Sequence, residues 1–393
     1  MNEKIKVELS RRDFLKGVAA GSAVLLSTNT TEAQTELSER GARTESDAEK
    51  IEPQRGQQFI ADSQTHIFWR REGYDNISER GWWFLNQLET FYKGAYGATA
   101  NIRDLTQARF LDLVLRQSET SVAFLNVLAL KGFYGGKHML TPQEAVDVRA
   151  MMPERVIVLG SVDPTEGKQA LEDLEWQVKD LKINAIKLYP GDYNNRGWHA
   201  DDEKIAYPLW EKCRQLGIHY IAIHKGLPFS IFNAKYCHPE DVDQALDDFP
   251  DLNFVIYHSG YPYLDELTMM AFRLTGRKSN LYVDLGGLIP ILKNAPTELG
   301  HTLGKLLKYL GPDHIIWGSD APITGSPQPL IDFFRGYRIP DELVEKYGYP
   351  QITPDDKRKI LGENMARLFN INIEEKMKKL ANDIVSRSRE ERI

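Results

Sequence analysis

Two cysteines in 393 residues are too few for a disulfide-built fold or a cysteine-based zinc site. Cys213 and Cys237 allow one bridge at most, and the reading taken here is a pair of free or buried thiols. The body of the chain has no lysine- and arginine-rich block and the net charge is −7, which argues against a nucleic-acid partner approached through a basic face. No apolar run is long enough to span a bilayer. A glycine-rich phosphate turn after an early strand is also missing, which disfavours a doubly wound nucleotide-binding sheet. No Gly-x-Ser-x-Gly elbow marks a serine hydrolase, since Ser259 precedes Gly260 but lacks the glycine two residues before it.

What the chain does have is order along its length. Hydrophobic residues at 42% and charged residues at 27% suit a globular enzyme with a sizeable core. Ser10-Arg11-Arg12-Asp13-Phe14-Leu15-Lys16, followed by the mildly apolar stretch from Gly17 to Leu26, reads as a twin-arginine export signal over residues 1–33. That predicts a periplasmic or otherwise exported protein handled by the twin-arginine machinery. Residues 34–56 are polar and read as a linker.

From residue 57, short β-branched runs alternate with helix-patterned stretches. The expected strands are Phe59–Asp62, Ser121–Leu128, Arg155–Val162, Ile183–Leu188, Ile218–Ile223, Asn253–Tyr257, Leu281–Asp284 and His314–Gly318. Their continuous hydrophobicity is that of strands buried on both faces. Expected helices include Leu105–Glu119, Pro142–Met151, Glu166–Leu181, Ala206–Leu216, Asp241–Asp247, Leu264–Thr275 and Leu303–Leu310. Strand and helix alternating eight times predict an α/β fold of the (β/α)₈ TIM-barrel type over 57–372. Residues 373–393 read as a surface or subunit-contact helix. Residues 67–104 and 189–205 read as long aromatic loops walling a pocket, with Trp69 and Tyr189 against a small-molecule substrate.

Polar residues close several of these strands: His66 after the first, His224 at the fifth, His258 at the sixth and Asp320 at the eighth. In a closed barrel such residues converge on one face. Imidazoles and a carboxylate suit zinc or manganese, and three protein ligands leave a position open for water. Lys187, inside the fourth apolar run, is costly to bury unpaired and is a candidate for substrate, ion-pair or metal-bridging duty. Arg70 and Arg71, in the loop after His66, could clamp a carboxylate, although loop arginines are more often simply solvated. Asp284 and Asp320 could imitate a glycosidase pair, but the histidines would then be idle. His199, His219, His238 and His301 read as surface or packing residues.

Five segments together resemble the amidohydrolase superfamily. They are Asp62-Ser63-Gln64-Thr65-His66, Ile186-Lys187-Leu188-Tyr189-Pro190, His224 with Tyr257-His258-Ser259-Gly260, Trp317-Gly318-Ser319-Asp320-Ala321-Pro322, and the closing Ile360-Leu361-Gly362-Glu363-Asn364-Met365-Ala366-Arg367-Leu368-Phe369. The likeness is strongest to the amidohydrolase-related branch of decarboxylases and lactonases. The resemblance implies His66 and His224 as metal ligands and His258 as a ligand or a donor to substrate oxygen. It implies Asp320 as a metal ligand that also shuttles a proton. Gln64 departs from the pattern, because the family commonly has histidine or glutamate there and an amide offers only a neutral oxygen. One divalent metal, zinc or manganese, is the expectation, with a metal-free variant as the alternative. The expected reaction is hydrolysis of a C–O or C–N bond in a small cyclic or carboxylated substrate. Non-oxidative decarboxylation of an aromatic or unsaturated acid is the alternative, and an inactive binding barrel the second alternative.

Overall fold

Eight short strands among the described residues run parallel and lie side by side in sequence order. They are β1 (Ala61–Thr65), β2 (Val122–Asn126), β3 (Val156–Leu159), β4 (Ile186–Leu188), β5 (Tyr220–His224), β6 (Asn253–Tyr257), β7 (Leu281–Asp284) and β8 (Ile315–Ile316). This computed structural model describes residues 56, 58–68, 77–191, 197–229, 231–275 and 279–386. The expected export signal, the expected linker up to residue 55, Trp69, Arg70, Arg71 and the last residues of the expected C-terminal helix lie outside them.

The strands pair as β1-β2-β3 and as β4-β5-β6-β7-β8. Two parallel bridges join the arcs, Gly160 to Ile186 and Thr65 to Ala321. At the second seam Ser63 N–H donates to Trp317 O (3.0 Å), and Asp320 N–H donates to Gln64 O (2.9 Å). The ring therefore closes as the (β/α)₈ barrel that the alternation predicts.

Side chains alternate along each strand. Ile221, Ile223, Phe254 and Ile256 belong to the apolar layer that also holds Leu209, Trp210 and Leu267 from the surrounding helices. Tyr220, Ala222, Val255 and Tyr257 instead pack with Ala61, Val122, Phe124 and Ile316. The helices carry their own local signals. Thr141 and Glu144 form a capping box before Pro142–Met151, and Pro142 needs no hydrogen at the first turn. At the N-terminal end of β3, the Arg155 guanidinium donates to Asp383 and to Ser386, which ties down the segment after helix Ile373–Leu380.

Two expectations need correcting. Residues 79–96, expected as loop, form an 18-residue helix, Glu79–Tyr96, started by Ser78 accepting from Gly81 N–H. Its exposed Trp82 and Trp83 break any clean apolar stripe, so the helical period is hidden. The expected helix Leu105–Glu119 is shorter, running as an α-helix over Gln107–Leu111 and then widening to a π-helical turn over Asp112–Arg116. No described helix is long and apolar enough to cross a membrane.

Candidate functional site

The polar strand ends meet at the C-terminal mouth. His224 continues the inward series Tyr220, Ala222, so the two-residue period alone turns it to the barrel axis. His258 should by the same count point outward after Phe254 and Ile256. Left-handed backbone at His258 (φ 59°) and Ser259 (φ 47°) breaks the alternation and swings its ring into the mouth. Asp320 is also left-handed (φ 62°). Non-glycine residues in this region are uncommon, and their clustering at one site is typical of functional constraint. Gln64 and His66, two apart at the end of β1, point into the same space.

The distances define one cluster. His66 Nε2 lies 3.4 Å from Asp320 Oδ1. Gln64 Nε2 donates to Asp320 Oδ1 at 3.2 Å and lies 3.5 Å from both His66 Nε2 and His258 Nε2. His258 Nε2 is 3.1 Å from His224 Nδ1. The far nitrogens of that ring pair are anchored on carbonyls: His258 Nδ1 donates to Gly286 O (2.7 Å) and His224 Nε2 to Leu227 O (3.1 Å). A carbonyl can only accept, so both rings carry their hydrogen on the far side. When neutral they face each other with two lone pairs.

The electrostatics keep them neutral. Burial, then the Lys187 ammonium, pushes His258 down to about 3. Burial first and neighbouring cationic groups second also hold His66 and His224 well below the usual histidine range. Burial, with the charge of Asp284, pushes Asp320 up to about 8, and Lys187 opposes this.

Several residues that position the site are hard to read from sequence. Asp284 accepts from His258 N–H (2.9 Å) and from Ser63 Oγ (2.8 Å), and its carbonyl accepts from Ser259 Oγ (2.7 Å). It thereby fixes the left-handed turn. Asp62 accepts from Ser319 N–H (2.9 Å) and Ser319 Oγ (2.6 Å), which holds the residue before Asp320. Asn126 Nδ2 donates to Ser63 O (3.2 Å) and Phe124 O (2.8 Å), steadying β1 below Gln64. In each case the only sequence signal is a polar residue in or beside an apolar run.

Lys187 is fully buried, and its ammonium has no hydrogen-bond partner among the described residues. It sits 3.6 Å from the Tyr257 ring centre and 5.1 Å from that of Tyr189. Burial lowers its proton affinity, while Asp284 and Asp320 partly restore it. The ion pairs with Asp62 or Asp163 that its sequence position allows are not formed.

A buried ion pair braces the neighbouring wall. Lys225 Nζ donates to Asp241 Oδ2 (2.6 Å) and to Tyr236 O (2.9 Å), and Asp241 also accepts from Ala200 N–H. Burial alone would raise the Asp241 carboxyl, but Lys225, His199 and Ala200 outweigh it and hold it below the ordinary carboxylate range. The native state therefore takes up fewer protons than the unfolded chain near pH 4. Its stabilisation is present above the unfolded pKa and is lost as pH falls through the folded one. Asp241→Asn is expected to cost about 3–5 kcal/mol, because it strands the Lys225 charge. It should also flatten the acid side of the stability profile, which urea midpoints measured between pH 7 and pH 3 would show.

Above the cluster lies a cavity of about 420 Å³. Gln64, His66, His224, His258 and Asp320 form its polar end. Phe68, Phe84, Leu128, Phe229, Phe232 and Ile323 are among its walls, and Tyr189 lines it too. Tyr189 stacks on His224 with ring centres 5.9 Å apart. Helix Glu79–Tyr96 supplies Phe84, Leu88 and Phe91 to this lining.

The donor set matches a divalent ion chemically. Facing imidazole lone pairs, with far nitrogens held by carbonyls, are what metal-binding histidines present, and Asp320 adds a carboxylate. Among the described residues, though, no three or more His, Cys, Asp or Glu side chains close around one point. The Gln64 carboxamide stands between the His66–Asp320 pair and His258.

The comparisons with known proteins agree with this architecture. The sequence profile described as amidohydrolase matches residues 134–371. A curated relative, protein fluG of Emericella nidulans, is 26% identical over 101 residues, covering 26% of this chain and only 11% of that protein. An uncharacterised TIM-barrel protein from Bordetella bronchiseptica superposes with a TM-score of 0.54 at 20% identity, covering 79% of this chain and 98% of the other. A 5-carboxyvanillate decarboxylase from Novosphingobium aromaticivorans, crystallised with manganese, gives 0.51 at 14% identity over 80% and 97%. A probable 2-pyrone-4,6-dicarboxylic acid hydrolase from Acinetobacter baumannii gives 0.50 at 13% over 79% and 99%. At these identities the structural likeness speaks for the fold.

Proposed function

The chain belongs to the amidohydrolase family, a family of enzymes, and from that premise we propose that it decarboxylates a small aromatic or unsaturated acid without an oxidant. One observation carries the choice: the buried histidines and Asp320 gather at one end of a cavity whose remaining lining, Lys293, Thr90 and Thr324 apart, is mainly apolar and aromatic. A carboxylate held there is stripped of water, and loss of neutral CO₂ disperses its charge. Hydrolysis of a C–O or C–N bond, the first expectation from sequence, needs a bound water at the reacting atom, which apolar walls do little to hold. The decarboxylase among the structural relatives supports the same choice.

In the proposed reaction Asp320 delivers its proton to the carbon bearing the carboxylate. The carbon–carbon bond then breaks, its electron pair returns to the unsaturated system, and CO₂ leaves. Asp320 recovers its proton from solvent. His224 and His258, kept neutral by burial, orient substrate oxygens. Tyr189 and the phenylalanine walls stack on the substrate body and exclude water. His66, His224 and Asp320 would hold a divalent ion, zinc or manganese, with His258 beside it; when bound, that ion supplies Lewis acidity to substrate oxygens.

The test is CO₂ release from a panel of hydroxylated aromatic acids in deuterated water. The expected result is one deuterium at the carbon that lost its carboxylate. Ring opening of lactones assayed beside that panel, with no acid releasing CO₂, would sink the reading in favour of hydrolysis.

A further inference from the structure

We propose that the Gln64 carboxamide is a built-in competitor for the cation, so that a divalent ion is held weakly and enters only by displacing it. The atom of Gln64 at the centre of the cluster must be the donor nitrogen. It faces the Asp320 carboxylate at 3.2 Å and the His258 Nε2 lone pair at 3.5 Å, and both are acceptors. His66 Nε2, also at 3.5 Å, completes the same half-circle. An N–H₂ group thus does for these lone pairs what a positive ion would do: it puts a partial positive charge where they point.

The other end of the amide is accommodated by a gap in the backbone. Gln64 Oε1 is buried with no hydrogen-bond partner among the described residues. A side chain at Gly286 would begin 1.9 Å from that oxygen, so glycine there leaves the room in which the carboxamide sits. Gly286 also supplies the carbonyl that orients His258, so one residue makes space for the amide and aims the lone pair at it. An ion arriving at this point must break a hydrogen bond to a carboxylate and turn the amide away. In return it gains no charge from residue 64. A histidine or glutamate at residue 64 would contribute a ligand; this glutamine opposes one.

The inference rests on the proposal that the site takes a divalent ion. Its test contains no substrate, so it can fail while decarboxylation is observed, or hold while decarboxylation is not. Metal-stripped full-length protein is titrated with Mn²⁺, and the free ion is followed by its electron paramagnetic resonance signal. Gln64→Ala and Gln64→Ser should each bind Mn²⁺ about tenfold more tightly than the unaltered chain, the size of a lost hydrogen bond. Gln64→His should bind tighter still. Equal or weaker binding by the folded small variants, checked by thermal melting, would overturn the proposal, because Gln64 would then be a bystander or a ligand.

Discussion

Replacing Asp320 with asparagine should lower CO₂ release by about 10²–10⁴-fold, the usual worth of a positioned general acid. Asparagine has the same shape and tolerates the left-handed backbone at φ 62°, so the fold has little reason to change. The amide has no acidic proton to give. The carboxyl it replaces is pushed up to about 8 by burial and by Asp284, the direction that favours the proton a general acid must carry. Turnover on the best acid of the panel, measured beside melting temperature and circular dichroism, checks this. A variant that keeps turnover within a factor of a few would remove Asp320 from the proposed reaction.

A large loss of stability is also expected from a change just beyond β5. Gly226 has φ +74°, and a β-carbon there would come within 2.4 Å of Gly260 C and Tyr261 O and 2.6 Å of Tyr261 N. These are backbone atoms of the turn that carries His258, and they cannot swing aside as a side chain would. Gly226 N–H also donates to Cys237 O (2.6 Å), and Leu227 N–H to Tyr261 O (2.7 Å), so both chains are pinned at the crossing. Gly226→Ala should cost about 2–5 kcal/mol, from left-handed strain together with overpacking. For a barrel of this size that is on the order of a 10 °C fall in melting temperature. Because His258 lies on the displaced turn, activity at temperatures well below the transition should fall too. A melting point within a degree or two of the parent would show that the turn can yield.

Most of the barrel was legible because strands buried on both faces have a composition of their own and recur at regular intervals. The ends of the strands were legible because His224 and His258 interrupt apolar runs. The last strand was overestimated: His314–Gly318 contains only Ile315–Ile316 as strand, since Trp317 N–H turns to Ile360 O instead. The helix Glu79–Tyr96 was hidden because its aromatics serve two opposite purposes, Phe84 and Phe91 facing the cavity and Trp82 and Trp83 facing out. Asp284 could not be recognised as a brace, because its Ser63 partner is 221 positions away. Gln64 was visible as a departure, but its meaning depended on which end of the amide faces the acceptors, and that is set by the tautomer of His258.

The left-handed turn at His258 and Ser259, with Asp320 beside it, bears on whether the barrel still does chemistry. Side chains in such conformations cost about 1–2 kcal/mol each relative to glycine. A barrel kept only to bind a ligand would gain stability by letting glycine drift in at these places. Three polar residues sit there instead, braced by Asp284 and Asp62, and under the proposed reaction that forgone rigidity keeps His258 and Asp320 aimed inward.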